Sequence, residues 1–67
     1  MDQLLLIGYR RSGRWVLLND RAIELGDYPA ESAIIEAATE RLQRLRREGS
    51  LLIETGDGWR ETPLPAA

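Results

Sequence analysis

The side chains that could carry chemistry in this sequence are acids, arginines and a few serines. The 67-residue chain has no His and no Cys, so the usual pairs of nucleophile and general base are missing. All nine of its cationic residues are arginine, which removes Schiff-base chemistry. Ser12, Ser32 and Ser50 therefore have no imidazole or ammonium to activate them. We predict that the protein is not an enzyme and uses no cofactor.

Acidic residues offer two further candidates for chemistry. Glu36 and Glu40 lie one turn apart on a predicted helix and could act as a pair of catalytic carboxylates. They are on its polar side, whereas the carboxylates of hydrolases sit in a cleft, so we interpret them as solvated surface residues. Glu54, Asp57 and Glu61 surround a Gly-Asp-Gly turn and could hold a hard cation. That segment lacks the alternating acids of a calcium loop. A hairpin turn is the simpler interpretation, and we predict no metal site.

Arginines gather at the tip of the first predicted hairpin. Arg10, Arg11 and Arg14 flank the tip, and Trp15 follows them. Arginine beside an aromatic ring can grip single-stranded nucleic acid, whereas charges splayed into water are the alternative. The net charge of −2 disfavours general affinity for nucleic acid, which depends on neutralising phosphates. The all-arginine basic set itself fits either a binding adaptation or the codon bias of a GC-rich genome.

Three short apolar runs predict a meander of strands at the start of the chain. They cover residues 4–10, 15–18 and 21–25. Ser12-Gly13 suits the centre of a tight hairpin. Asn19-Asp20 suits a second tight turn, because both residues tolerate left-handed backbone angles.

A helix is predicted after a break at residues 26–29. Asp27 could cap its first amides, and Pro29 suits its first turn. Over residues 30–48 the apolar side chains fall in one arc of the helix, with Gly49 as the predicted C′ residue. That arc contains Ile34, Ile35, Ala38, Leu42 and Leu45. Arginines in the last turns complement the helix dipole.

The remaining residues predict a closing strand and a tail. Residues 51–54 form the fourth predicted strand, and residues 59–62 are compatible with a fifth, which the pattern alone leaves open. Two prolines place residues 63–67 in a loose tail. We therefore predict one domain, residues 1–62, followed by a flexible tail.

The element order ββ(β)αβ(β) predicts an α+β fold with a mainly antiparallel sheet. Tight turns join the first three strands, and a right-handed crossover through the helix sets the fourth strand parallel to the first. The predicted strand order is 3-2-1-4, with one helix packed on one face.

One helix leaves the other face of the sheet uncovered. Trp15, Leu17 and Leu52 are predicted to lie on that face and to bind a partner. A contiguous apolar patch seldom stays exposed on a monomer. The leading hypothesis is a non-catalytic interaction module that forms a homodimer. Sheet twist and a tail carrying Leu64 are the alternative cover.

The start of the sequence bears on location. It is acidic, and its first apolar run, residues 4–7, is much shorter than the roughly 20 apolar residues of a membrane span. We therefore expect a cytoplasmic protein that is not a membrane protein.

Residues 33–38 (AIIEAA), 51–54 (LLIE) and 57–59 (DGW) resemble a small bacterial family of domains of unknown function. That family combines a strand hairpin, an Ala-Ile-x-x-Ala-type helix and a closing strand with Asp-Gly. The resemblance implies a fold but no assigned activity.

The Gly26-Asp27 break before an Ala-rich helix is similar to a second family. This is the N-terminal, partial ribonuclease-H-like domain of antitoxins that neutralise mRNA-cleaving toxins. The resemblance implies an inhibitor that masks a protein partner.

Overall fold

The computed structural model describes residues 3–64, in which one helix packs on a five-stranded sheet of order β3-β2-β1-β4-β5. β1 and β4 are parallel, and the other neighbours are antiparallel. The predicted α+β class and the order 3-2-1-4 are confirmed, and β5 extends the sheet beyond β4. The elements are β1 (Leu4–Arg11), β2 (Arg14–Leu18), β3 (Glu24–Tyr28), α1 (Glu31–Leu45), β4 (Gly49–Glu54) and β5 (Trp59–Pro63).

The turn between β1 and β2 is the predicted two-residue hairpin. Ser12 and Gly13 both have positive φ, 54° and 78°, as the tightest hairpins require. The turn sets Arg11 opposite Arg14, and therefore Tyr9 opposite Val16. This register decides which side chains of β2 face the helix.

β3 begins later than the sequence pattern predicts. The Asn19 side-chain oxygen accepts the amide hydrogens of Arg21 and Ile23, each at 2.9 Å. These bonds hold residues 19–23 as a loop. The predicted third strand is therefore present but displaced: the start predicted at residue 21 is wrong, and the break predicted at 26–29 starts inside β3. A bulge opposite Leu17 and Leu18 absorbs the irregularity, which an edge strand tolerates.

The helix is shorter than predicted at both ends. Its N-cap is Ala30, which makes no side-chain cap hydrogen bond, so the predicted capping role of Asp27 is wrong. Arg46 takes the left-handed conformation that ends the helix. Gly49 therefore begins β4 instead of serving as the C′ residue.

Leucine and isoleucine side chains form a single core between α1 and the sheet. Gly8 permits close packing, because a Cβ there would lie 3.0 Å from Cδ1 of Ile34. The tightly buried members are Leu6, Leu17, Ile34, Ala38, Leu42, Leu51, Ile53 and Leu64.

The predicted loose tail is wrong for its first two residues. Pro63 pairs with Ser50 at the end of the edge strand β5, where a missing amide hydrogen is tolerated. Leu64 donates its amide hydrogen to the Gly49 carbonyl at 3.1 Å and lies in the core. Residues 65–67 of the predicted tail lie outside the described residues.

Candidate functional site: the helix-free face of the sheet

The side of the sheet that points away from α1 carries its own row of apolar residues. Side chains directly opposite on paired strands share a face. Because Leu6 and Leu51 face the helix, their strand neighbours point the other way. We call this surface the open face. It comprises Leu5, Ile7, Tyr9, Val16, Leu18, Leu52 and Trp59, flanked by Arg11, Arg14, Glu24, Asp27, Ser50, Glu54, Glu61 and Pro63.

Of the three residues predicted to face a partner, Leu52 lies on the open face, beside Ile7. Leu17 lies in the helix-side core, and Trp15 packs against that core. Their predicted placement on the open face is wrong. The hairpin register pairs Val16 with Tyr9 and so turns the alternate side chains, Val16 and Leu18, outward.

Two ion pairs cover one half of the open face. Arg11 donates two hydrogen bonds to the Glu24 carboxylate, at 3.2 and 3.4 Å. Since β2 lies between β1 and β3, this pair must cross β2. On β2, Arg14 lies opposite Arg11, and Leu18 lies opposite Glu24. The ion pair therefore passes over Val16, which lies between these two positions and is 0% exposed, although α1 packs on the other face of the sheet.

A second pair, Arg14 with Asp27 at 3.4 Å, lies beside the first. Hydrogen bonding to Glu24 and the charge of that carboxylate raise the pKa of the Arg11 guanidinium. The cation is therefore permanent at any physiological pH. All four side chains remain about half exposed, so the pairs act mainly as a cover and contribute little stability individually.

Within residues 3–64, no ion pair covers the other half of the open face, over β1, β4 and β5. Leu5 is 41% exposed and Trp59 is 54% exposed. Ile7 and Leu52 lie between them and are half-buried. Aliphatic and aromatic side chains therefore form an exposed strip over the middle strands of the sheet.

Two carboxylates lie beside this strip: Glu54 on β4 opposite Trp59, and Glu61 on β5 opposite Leu52. Glu61 accepts a hydrogen bond from the Ser50 hydroxyl at 3.0 Å, and this bond satisfies the buried serine. Neither Glu54 nor Glu61 forms an ion pair within residues 3–64. The uncovered half therefore combines exposed apolar side chains with carboxylates that have no ion-pair partner among residues 3–64.

The four residues of the nucleic-acid alternative do not share a surface. Arg11 and Arg14 lie on the open face and are ion-paired. Arg10 and Trp15 lie on the helix side, where the guanidinium sits 5.7 Å from the centre of the indole ring. Successive side chains of a strand point to opposite faces. The pair Arg10 and Trp15 therefore lies on one face of the hairpin, and the pair Arg11 and Arg14 lies on the other.

Neither a metal centre nor a membrane segment is found in the described part of the chain. Acidic side chains there form no group of three that would hold a metal ion. No helix within residues 3–64 has the length and apolar character needed to span a bilayer.

Comparisons of this chain with protein-family models, curated protein sequences and solved structures find no match. The two family resemblances drawn from sequence motifs therefore stay predictions.

The pattern of the sequence could have located more of the open face than it did. A two-residue turn at Ser12-Gly13 already fixes that Val16 lies opposite Tyr9. Counting from that turn assigns Val16 and Leu18 to the same face. Trp59 was harder to assign, because its face depends on the register of a strand that the sequence left open.

Proposed function

We propose that this chain is a non-catalytic interaction module that binds a second copy of itself through the open face. The exposed strip of Leu5, Ile7, Leu52 and Trp59 is the observation that supports the proposal. Covering such a strip removes apolar surface from water, which is the main driving force for association. The site has binding chemistry only, since it offers packing surface and charge.

Charge placement supports a second copy as the partner. Arginines and their acid partners occupy the β2–β3 half of the open face, and unpaired carboxylates occupy the β4–β5 half. Two such faces stack most favourably about a two-fold axis parallel to the strands. With the axis along β1, this rotation sets Glu54 of one copy above the half that carries Arg11 and Arg14 in the other. Glu24 and Glu61 lie at the two outer ends of one row across the sheet and meet there.

A matched pair of leucine substitutions tests this proposal. Leu5 is 41% exposed on the open face, and Leu45 is 47% exposed at the end of α1, in the other layer of the fold. Leu5→Glu places a charge inside the proposed interface, whereas Leu45→Glu places the same charge outside it. Sedimentation equilibrium measures the association constant of each variant, and circular dichroism checks that each is folded.

We expect a wild-type dimer, a dimer for Leu45→Glu, and a folded monomer for Leu5→Glu. Burying an unpaired carboxylate in an apolar interface is costly enough to abolish association. A wild-type monomer at every concentration would remove the proposal. Equal weakening by both substitutions would also remove it.

An antitoxin-like inhibitor is the second candidate function. The meander, crossover helix and parallel β4 follow the ββ(β)αβ order of the partial ribonuclease-H-like domain that the Gly26-Asp27 segment resembles. Shared topology is an analogy of fold only. Co-purification with the product of a neighbouring reading frame for a small basic toxin would support it, and an isolated gene would count against it.

We do not propose nucleic acid as the partner, because the four residues of that alternative lie on two faces. A cytoplasmic location stays a prediction, and fractionation of native cells tests it.

A further inference from the structure

A cleft opens on the helix-covered side of the sheet, away from the open face. Its volume is about 570 Å³, within the usual range for small-molecule sites. The β1–β2 turn and the β4–β5 turn form its two ends. The side chains that matter for its chemistry are Arg10, Trp15, Glu31, Ile53 and Arg60.

Arg10 is the available cation of this cleft. Its guanidinium lies 5.7 Å from the centre of the Trp15 ring, as in a cation–π contact. This contact favours a position of the guanidinium above the indole ring. Within residues 3–64 Arg10 makes no ion pair with a carboxylate. Its N–H groups are therefore available to a planar, bidentate acceptor.

The other charges of the cleft limit the ligand to a single negative charge. Arg60 already pairs with Glu31 at the start of α1. That pair is neutral as a whole, so Arg10 leaves the cleft with one net positive charge. A phosphate monoester carries about −1.5 to −2 at neutral pH, more than this single charge neutralises, whereas a monoanion matches it.

Apolar walls lie next to the cation. Ile53 is 1% exposed and belongs to the core, so it forms part of the floor of the cleft. Trp15 is half-buried beside Arg10. A ligand that fits both features has a carboxylate joined to an apolar group of modest size.

We propose that this cleft binds small carboxylates whose apolar portion packs against Trp15. This site is separate from the open face, so it stands or falls independently of self-association. Its recognition group is Arg10, and Arg60 contributes by neutralising the charge of Glu31.

A titration followed by NMR tests the proposal with three matched probes. Phenylacetate carries the required acid, phenylacetamide is its neutral counterpart, and phenyl phosphate carries the larger charge. The reporters are the Trp15 indole N–H and the backbone amides of Gly13 and Gly56, which line the cleft. Phenylacetate should give saturable shifts, and phenylacetamide should bind about tenfold more weakly, because a charge-assisted hydrogen bond is lost.

Arg10→Gln should weaken phenylacetate binding to a similar extent. Arg14→Gln is the matched control: it removes an arginine from the same hairpin but on the opposite face, where Arg14 pairs with Asp27. The control should leave binding unchanged. Equal affinity for acid and amide, tighter binding of phenyl phosphate, no saturable shift, or an equal effect of both substitutions would each overturn the proposal.

Discussion

Replacing Gly49 with alanine should force apart the ends of β1 and β4. A Cβ at this position would lie 2.1 Å from the Leu4 carbonyl oxygen, far inside any normal contact. The neighbouring atom belongs to the backbone, so no side-chain rotation relieves the clash. Two hydrogen bonds hold the site closed: Leu4 N–H to the Glu48 carbonyl at 2.9 Å, and Leu64 N–H to the Gly49 carbonyl at 3.1 Å.

The expected loss of stability follows from these contacts. Each backbone hydrogen bond contributes about 0.5–1.5 kcal/mol. Partial exposure of Leu64, now 8% exposed, adds about 1 kcal/mol, because full burial of leucine is worth roughly 1.5–3 kcal/mol. We therefore expect Gly49→Ala to lower the free energy of unfolding by about 3 kcal/mol. For a chain of this length the whole free energy of unfolding is on the order of 3–10 kcal/mol.

Urea denaturation followed by circular dichroism measures this loss, with Gly56→Ala as the control. Gly56 has φ of +91°, but a Cβ there would meet nothing within 4 Å. Its replacement should cost only the backbone strain, about 1–2 kcal/mol. A Gly49→Ala variant as stable as Gly56→Ala would refute the packing described for this end of the sheet.

Two further substitutions test other parts of the structure. Trp59→Ala should raise the dissociation constant of the dimer, measured by sedimentation equilibrium, about 30-fold or more. An aromatic side chain buries roughly 150–250 Å². Covering the exposed 54% of Trp59 is therefore worth about 2 kcal/mol or more. An unchanged constant would place Trp59 outside the interface. Asn19→Ala should lower the free energy of unfolding in urea by about 1 kcal/mol, because its side chain accepts the amide hydrogens of Arg21 and Ile23. No loss would show that these bonds do not hold the loop.

The central part of the fold could be predicted from local patterns. A helical arc of apolar residues, a two-residue turn and a doubly apolar first strand together determine the order 3-2-1-4, because the connection rules leave few alternatives. The position of β3 could not be predicted in this way. It depends on the Asn19 side chain, whose hydrogen bonds within the loop competed with the strand pattern of residues 21–25.

The candidate site was only partly visible for a similar reason. Leu52 could be assigned to the open face from alternation and strand order. The cover over Val16 depends on Arg11 and Glu24, which are 13 residues apart and meet only once β3 has its true register. The cleft at Arg10 likewise needs Arg60 and Glu31 to meet across the fold.

Direct observation of contacts between copies would test the open face most simply. In a sample mixed from isotope-labelled and unlabelled chains, filtered nuclear Overhauser spectra report only contacts between copies. We predict such contacts between the Leu52 methyl groups of one copy and the Leu18 methyl groups of the other, and between the Leu5 methyl groups of the two copies. Intermolecular contacts confined to α1, or none at millimolar concentration, would contradict self-association through this face.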